Sequence, residues 1–311
     1  MLNYLLKRLT LVVPTILAVL VLTFFLLRAS GSPVDEILGE KGGTPEERAR
    51  LERELGLDRP MLVQFGAYFA RLAHGDLGVI ASSRSSVARE IARRLPNTLV
   101  LATLAMLLAV VVGVASGVVS AMRRNSWLDL VVRFLTFCLI STPVFWFGVC
   151  LIFVFAYVLR WLPASATGEW TAASLALPVL TLGLRPAAFI ARVTRSAMLD
   201  ELSLNYVAAA RAKGLSEWTV VTRHVLRNIA IPLVTVIGGD LGNLLGGAMI
   251  TETVFSVNGL GRFAVEAVMN RWYDAVMAVT LLWGVIFVLV NLAIDAAYAA
   301  ADPRIRFEEK A

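Results

Sequence analysis

Charge is scarce in this chain: Asp, Glu, Lys and Arg make up 17% of its 311 residues, against 58% hydrophobic. The mean hydropathy is +0.74. A soluble domain must cover its core with polar side chains, so this composition excludes an ordinary water-facing surface and makes the bilayer the expected solvent. Cysteine and histidine are rarer still. Cys138 and Cys150 lie in one apolar run and support neither a disulfide framework nor a metal site. His74 and His224 stand far apart with no ligand or triad spacing around them, and no paired carboxylates or Ser/His arrangement falls within the apolar runs. A phosphate-cradling G-x-x-x-x-G-K-[ST] loop is missing too. The glycine cluster Gly238, Gly239, Gly242, Gly246 and Gly247 has no lysine after it and lies in an apolar stretch. The chain therefore reads as a non-enzyme.

What is present is a set of long apolar runs. A helix needs about 20 apolar residues to cross the hydrocarbon layer. Six runs approach that length: Leu9 to Leu27, Thr98 to Ala121, Phe134 to Leu159, Thr171 to Ala191, Ile229 to Thr251 and Ala275 to Ile294. The expected fold is an all-α membrane protein with six transmembrane helices. The first run is long for a secretory signal and has no convincing small-residue cleavage site after it, which favours a retained anchor. Net charge is +6, and its distribution decides its meaning. Arg123 and Arg124 follow the second run, while Arg192, Arg195, Arg211, Lys213, Arg223 and Arg227 populate the segment between the fourth and fifth. Basic residues gathered in connecting loops mark the cytoplasmic side and remove the need for nucleic acid as a partner. With an even number of spans, both termini fall on that side.

Three segments follow from this: an N-terminal transmembrane helix over 1–28, an extracytoplasmic segment over 29–95, and a five-helix core over 96–311. The extracytoplasmic stretch holds ten basic and ten acidic residues and has a helix start of its own. Thr44-Pro45-Glu46-Glu47 supplies an N-cap, a first-turn proline and two acids at the positive end of the dipole, and Gly56 is the expected stop.

Between the fourth and fifth runs lie about 37 residues, 192–228, more than a turn requires. Tyr206-Val207-Ala208-Ala209-Ala210-Arg211-Ala212-Lys213 is rich in helix formers and basic toward its end, and Gly214 stands where a left-handed cap residue belongs. Ser216 caps a second helix with Glu217 in its first turn, and Val220, Val221, His224 and Val225 share a face by three-four spacing. The prediction is a helix, glycine and helix elbow. It could rest on anionic headgroups as a basic amphipathic pair, or act as a lever fitted to a groove on a soluble partner.

The string Ala208-Ala209-Ala210, with Gly214 four residues on, resembles the EAA loop of ABC importer permeases, Ala208 standing where that family often has glutamate. The longer run from Tyr206 to Ser216 is similar to that of the first permease subunit of dipeptide, oligopeptide and nickel importers. So are Lys7-Arg8-Leu9 through Pro14, Leu55-Gly56-Leu57-Asp58-Arg59-Pro60, Gly75-Asp76-Leu77-Gly78, Arg94-Leu95-Pro96, Thr251-Glu252-Thr253-Val254-Phe255, Gly259-Leu260-Gly261 and Asp302-Pro303-Arg304-Ile305-Arg306. The chain departs from the pattern at Arg227, where the general loop has proline, and at Ser32, where relatives often carry aspartate. The resemblance implies a bacterial inner-membrane permease subunit. It would pair with a second, homologous permease, two cytoplasmic ABC ATPases and an extracytoplasmic substrate-binding protein. On that reading the chain binds no cofactor; ATP and Mg belong to the ATPase subunits. Tyr206, Ala208, Ala209, Ala210, Arg211, Lys213 and Gly214 would form the contact that couples ATPase closure to the spans.

Two charges lie at depth. Arg185 and Asp240 fall about midway along the fourth and fifth runs, where a charge costs about 2.5 to 3.5 kcal/mol unless it meets water or a partner. Either they pair with each other as a structural ion pair, or they line the translocation path, Arg185 near a peptide carboxylate and Asp240 near its ammonium. In a secondary transporter or channel, the rival reading, these two charges would be the coupling site and the long loop would be unnecessary.

Overall fold

The structure is a computed structural model. It describes the backbone except for residues 1, 30, 33, 35–37, 39–42, 81–82, 167–169 and 302–311, and side chains excepting also 2–13, 243, 245–247 and 295–301. The motif at 302–306 lies outside the described residues, as do the side chains of Lys7, Arg8, Gly246 and Gly247. The described chain is helical almost throughout; an isolated antiparallel bridge joins Val79 and Ser86. It divides into two compact units, 1–97 with 258–288, and 98–257 with 289 onward.

The first unit contains α1 (Leu2–Ala29), α2 (Pro45–Glu54), α3 (Met61–Ala73), the start of α4 (Val87–Met122), α11 (Leu260–Met269) and the start of α12 (Tyr273–Ala301). The α2 start forms as its sequence predicts. Thr44 Oγ1 accepts from the Glu47 N–H at 3.2 Å and the Glu47 carboxylate accepts from the Thr44 N–H at 2.9 Å, so each orphan donor finds an oxygen. Gly56 ends the turn at φ +67°. Leu20 and Phe24 of α1 pack with Tyr68 of α3 and Met277 of α12 in a small core, where the Phe24 and Phe65 rings meet edge to face at 5.2 Å. Arg71 ties α3 to α12 through Asp274 at 3.1 Å. Arg94 reaches Glu266 at 2.8 Å and lies over the Phe263 ring at 4.7 Å.

The second unit holds the rest of α4, α5 (Trp127–Ser141), α6 (Val144–Leu151, continued by a π-helical stretch Ile152–Val158), α7 (Ala172–Leu202), α8 (Asn205–Ala212), α9 (Glu217–Asn228), α10 (Ala230–Val254) and the end of α12. Its core joins α4, α7 and α10 through Leu101, Ala105, Ala109, Leu182, Ile190, Leu244 and Ala248. Small residues make this closeness possible. A Cβ on Gly113 would stand 2.7 Å from the Ala187 carbonyl oxygen, and one on Gly117 would stand 2.6 Å from that of Ala191. Gly113 and Gly117 are therefore where α4 and α7 touch backbone to backbone. Gly238 is buried, and a Cβ there would collide with Ile294 of α12.

Among the described residues three helices are long and apolar enough to cross a membrane, or up to five if each bent pair is one span; the first run adds the apolar helix Pro14–Ala29. The third run differs from its expected form. Instead of one straight span over 134–159, α5 and α6 meet at 110°. Thr142 is extended there (φ −88°, ψ 131°), because Pro143 lacks an N–H for the ladder and pushes the residue before it out of the helical region. The fifth run is likewise preceded by a 60° bend between α9 and α10.

Candidate coupling site

α8 begins after Leu204 and buries two residues, Val207 and Ala210. Ala208, Ala209, Arg211, Ala212 and Lys213 are exposed. One face of the helix is thus anchored and the other is small and basic. Leu204 before the helix and Leu215 after it are exposed, as is Trp218 at 74%. Large apolar side chains left open beside a strip of alanines make a surface suited to contact, not one built only for solvation.

Beneath α8 lies a continuous apolar floor. Val207 and Ala210 pack with Val220, Val221 and Val225 of α9, Met198 of α7, Ala121 of α4, and Ile229 and Leu233 at the start of α10. A displacement of α8 therefore meets the ends of three long helices through close packing, which transmits strain and does not absorb it. The elbow itself is held by charge. Arg211 donates to Glu217 through two nitrogens, at 2.7 and 3.2 Å, a planar fork that fixes orientation as well as distance. This hydrogen bond holds the Glu217 carboxyl below its ordinary range and raises the Arg211 guanidinium above its own. Gly214 takes φ +79°, and nothing lies within 4 Å of where its Cβ would be. Backbone conformation, not crowding, selects glycine there. Ser216 caps α9 as expected, accepting from the Thr219 N–H at 3.3 Å.

Tyr206 turns away from the exposed strip. Its hydroxyl donates to Glu201 Oε1 at 2.7 Å, and Asn228 Nδ2 donates to the same oxygen at 2.7 Å and to the Tyr206 hydroxyl oxygen at 3.1 Å. Burial first, and the Glu201 carboxylate next, push the phenol up to about 12, so it remains a donor at any physiological pH. This triangle fastens the end of α7, the start of α8 and the end of α9. Glu201 and Asn228 carry no motif and went unnoticed in the sequence.

The structure does not bring Arg185 and Asp240 together as an ion pair. Arg185 is exposed on α7, with no hydrogen bond or ion pair among the described residues; Asp240 is half-buried on α10. The buried ionic contact of this unit lies elsewhere. Asp129, fully buried in the first turn of α5, accepts from Arg195 Nε at 2.7 Å and Nη2 at 2.9 Å, from the Ser120 hydroxyl at 2.6 Å and from the Asn125 N–H at 3.0 Å. In the sequence Arg195 looks like one more loop charge, and Asp129 gives no signal beyond following the N-cap Ser126. A second buried carboxylate, Glu252, accepts from the Thr98 hydroxyl at 2.6 Å and so links α10 to α4.

Residues 109–307 match the family described as binding-protein-dependent transport system inner membrane component, and residues 1–102 match its N-terminal companion. The chain belongs to this family. Over 99% of its length this transport component is 38% identical to the dipeptide transport system permease protein DppB of Alkalihalophilus pseudofirmus, covering 100% of that protein. It is 43% identical to the glutathione transport system permease protein GsiC of Salmonella choleraesuis, with the same coverage of both chains. Among solved structures the fold resembles the inward-facing MetNI methionine ABC transporter, with a TM-score of 0.58 and 21% identity over 68% of this chain and 96% of that one. It is therefore the permease of an ABC importer, a multi-pass membrane protein of a family of transport components and not of enzymes.

Proposed function

We propose that this permease forms one half of a translocation path for dipeptides or oligopeptides, with glutathione as the other candidate its relatives suggest, and that α8, Gly214 and α9 are the joint through which ATPase subunits move it. A second, similar permease supplies the other half, two cytoplasmic ATPases carry ATP and Mg, and a binding protein delivers solute from outside. Six spans cross the membrane, both termini are cytoplasmic, and 29–95 lies outside. The observation that carries this reading is the division of α8 into two faces: Val207 and Ala210 are sunk in a valine floor shared with α4, α7 and α10, while Ala208 and Ala209 stand open beside Trp218. An elbow merely resting on headgroups would present a continuous apolar face outward; here exposed Ala208, Ala209, Arg211 and Lys213 fill the helix between the open Leu204 and Leu215. The test is uptake of a labelled dipeptide and of labelled glutathione by proteoliposomes holding the whole importer. Uptake of at least one should require ATP on the elbow side. Accumulation driven by an ion gradient without ATP would overturn the assignment.

Arg185 belongs to the path on this reading. An exposed arginine at mid-span depth, unpaired among the described residues, has to face water or another subunit. Asp240 is proposed as its counterpart for the ammonium end of a peptide. Arg185→Gln and Asp240→Asn should each lower peptide uptake about tenfold, the loss of one charge-assisted contact of roughly 1.5 kcal/mol, with normal yield of inserted protein. Reduced yield with normal uptake per molecule would instead make them structural.

A further inference from the structure

The first unit encloses a cavity of about 810 Å³ that the transport reading leaves unused. Its walls come from the end of α1, the end of α2, α3 and the start of α12. Among the described residues six arginines line it, Arg28, Arg53, Arg59, Arg71, Arg84 and Arg271, against two acids, Glu54 and Asp274. Both acids are already engaged, Glu54 by Arg50 at 2.8 Å and Asp274 by Arg71 at 3.1 Å. Arg28 has no carboxylate within ion-pairing distance among the described residues; it stacks instead over the Phe24 ring at 5.4 Å and the Tyr273 ring at 5.2 Å. The described lining of the cavity is therefore cationic, and the ordinary occupant of such a lining is an anion.

Two further observations narrow the occupant. Tyr68 is only 5% exposed, and its hydroxyl has no hydrogen-bond partner among the described residues; the side-chain oxygen of Gln64, one turn earlier on α3, has none among them either. Both residues line the cavity. A donor and an acceptor left unmet on one helix face are costly unless something satisfies both, and a bare inorganic anion offers no hydrogen to Gln64. The second observation is depth. Arg28 closes the apolar run of α1, and Tyr273 and Asp274 open that of α12, while Phe24, Leu27 and Met277 make an apolar wall beside them. Cations and aromatics at the level where hydrocarbon gives way to polar surroundings, above an apolar wall, suit a lipid headgroup with its chains alongside. We infer that this cavity binds the headgroup of an anionic phospholipid carrying hydroxyl groups, phosphatidylglycerol being the simplest, its phosphate on Arg28 and its hydroxyls between Tyr68 and Gln64. The inference rests on the proposed topology only for the leaflet, the outer one.

The whole importer, stripped of lipid in detergent, would be placed in nanodiscs of phosphatidylcholine alone, of phosphatidylcholine with phosphatidylglycerol, and of phosphatidylcholine with inorganic phosphate in the buffer. Retained lipid would be read by mass spectrometry and stability by thermal unfolding. Phosphatidylglycerol should be retained and should raise the unfolding midpoint, while phosphate should not. Arg28→Gln should cut retention about tenfold, the loss of one charged hydrogen bond to phosphate; Arg59→Gln with Arg84→Gln, both exposed, gives the same direction should Arg28→Gln fail to fold. Tyr68→Phe discriminates by sign. It should lower the midpoint in phosphatidylglycerol, where the hydroxyl has a partner, and leave or raise it in phosphatidylcholine, where it has none. Equal midpoints for wild type in both lipids, equal retention by the variants, or equal stabilisation by phosphate would each overturn the inference. None of these readouts uses transport, so they stand apart from the fate of the coupling elbow.

Discussion

Ala209→Glu should abolish ATP-driven uptake while the permease still inserts and reaches its normal yield. The reasoning starts from exposure. Ala209 faces outward on α8, so the longer side chain meets water in the isolated subunit, and its helix propensity costs only a few tenths of a kcal/mol. On the proposed docking face the same carboxylate becomes a charge pressed against a partner with no cation built to receive it. An unpaired interfacial charge costs about 2 to 4 kcal/mol, a weakening of association of roughly 30- to 700-fold. The control is the neighbour. Ala208 stands where the resembling family often carries glutamate, so Ala208→Glu, the same charge one position and about 100° around the helix, should keep most of the activity. Copurification of the ATPase with each variant measures the contact directly. Normal ATPase binding and normal uptake by Ala209→Glu would remove α8 from the mechanism. Bulky replacements of Gly214 act differently: space is open there, and the penalty of about 1 to 2 kcal/mol comes from forcing φ +79° on a residue with a Cβ.

Much of this elbow could be read from the chain because its signals are local. Gly214, Ser216 and the Thr44 to Glu47 cap depend on residues within four positions, and the backbone takes the conformations they specify. The bends were not legible. Pro143 gives a strong local signal, yet hydropathy averaged over a window runs through it unchanged, so two helices at 110° look like one span. Val220 to Val225 shows the other failure. Three-four spacing puts His224 on the buried face with the valines, whereas the segment winds as a π-helix and buries Val220, Val221 and Val225, leaving His224 half-exposed. The wider turn puts the three valines into the floor under α8, a register that three-four periodicity does not record. The same holds for Glu201 with Asn228 and for Asp129 with Arg195: partners 27 and 66 positions apart meet only when the helices pack.

Asp129→Ala should cost the protein most of its folded yield, the largest stability effect expected of any single replacement in the second unit. The carboxylate is fully buried, accepts four hydrogen bonds and also lies 3.5 Å from the exposed Arg133 guanidinium. It takes both arms of the Arg195 guanidinium, the Ser120 hydroxyl and the Asn125 N–H, and so joins the end of α4 and the turn after it to α5 and α7. Removing it leaves Arg195, only 20% exposed, without its carboxylate and two further donors without an acceptor. Breaking one partner of a buried pair costs about 3 to 5 kcal/mol, against total stabilities of about 5 to 15 kcal/mol for folded domains. The cost belongs to the orphaned charge more than to the lost bond, and that gives the test its second arm. Asp129→Ala combined with Arg195→Met removes both charges and should be more stable than Asp129→Ala alone, a sign no account based on lost contacts would give. Thermal unfolding of the purified permease and the amount recovered from membranes would read both variants. A double variant less stable than the single one would mean that Arg195 has another anion to hold it, and the pair would not be the clasp described.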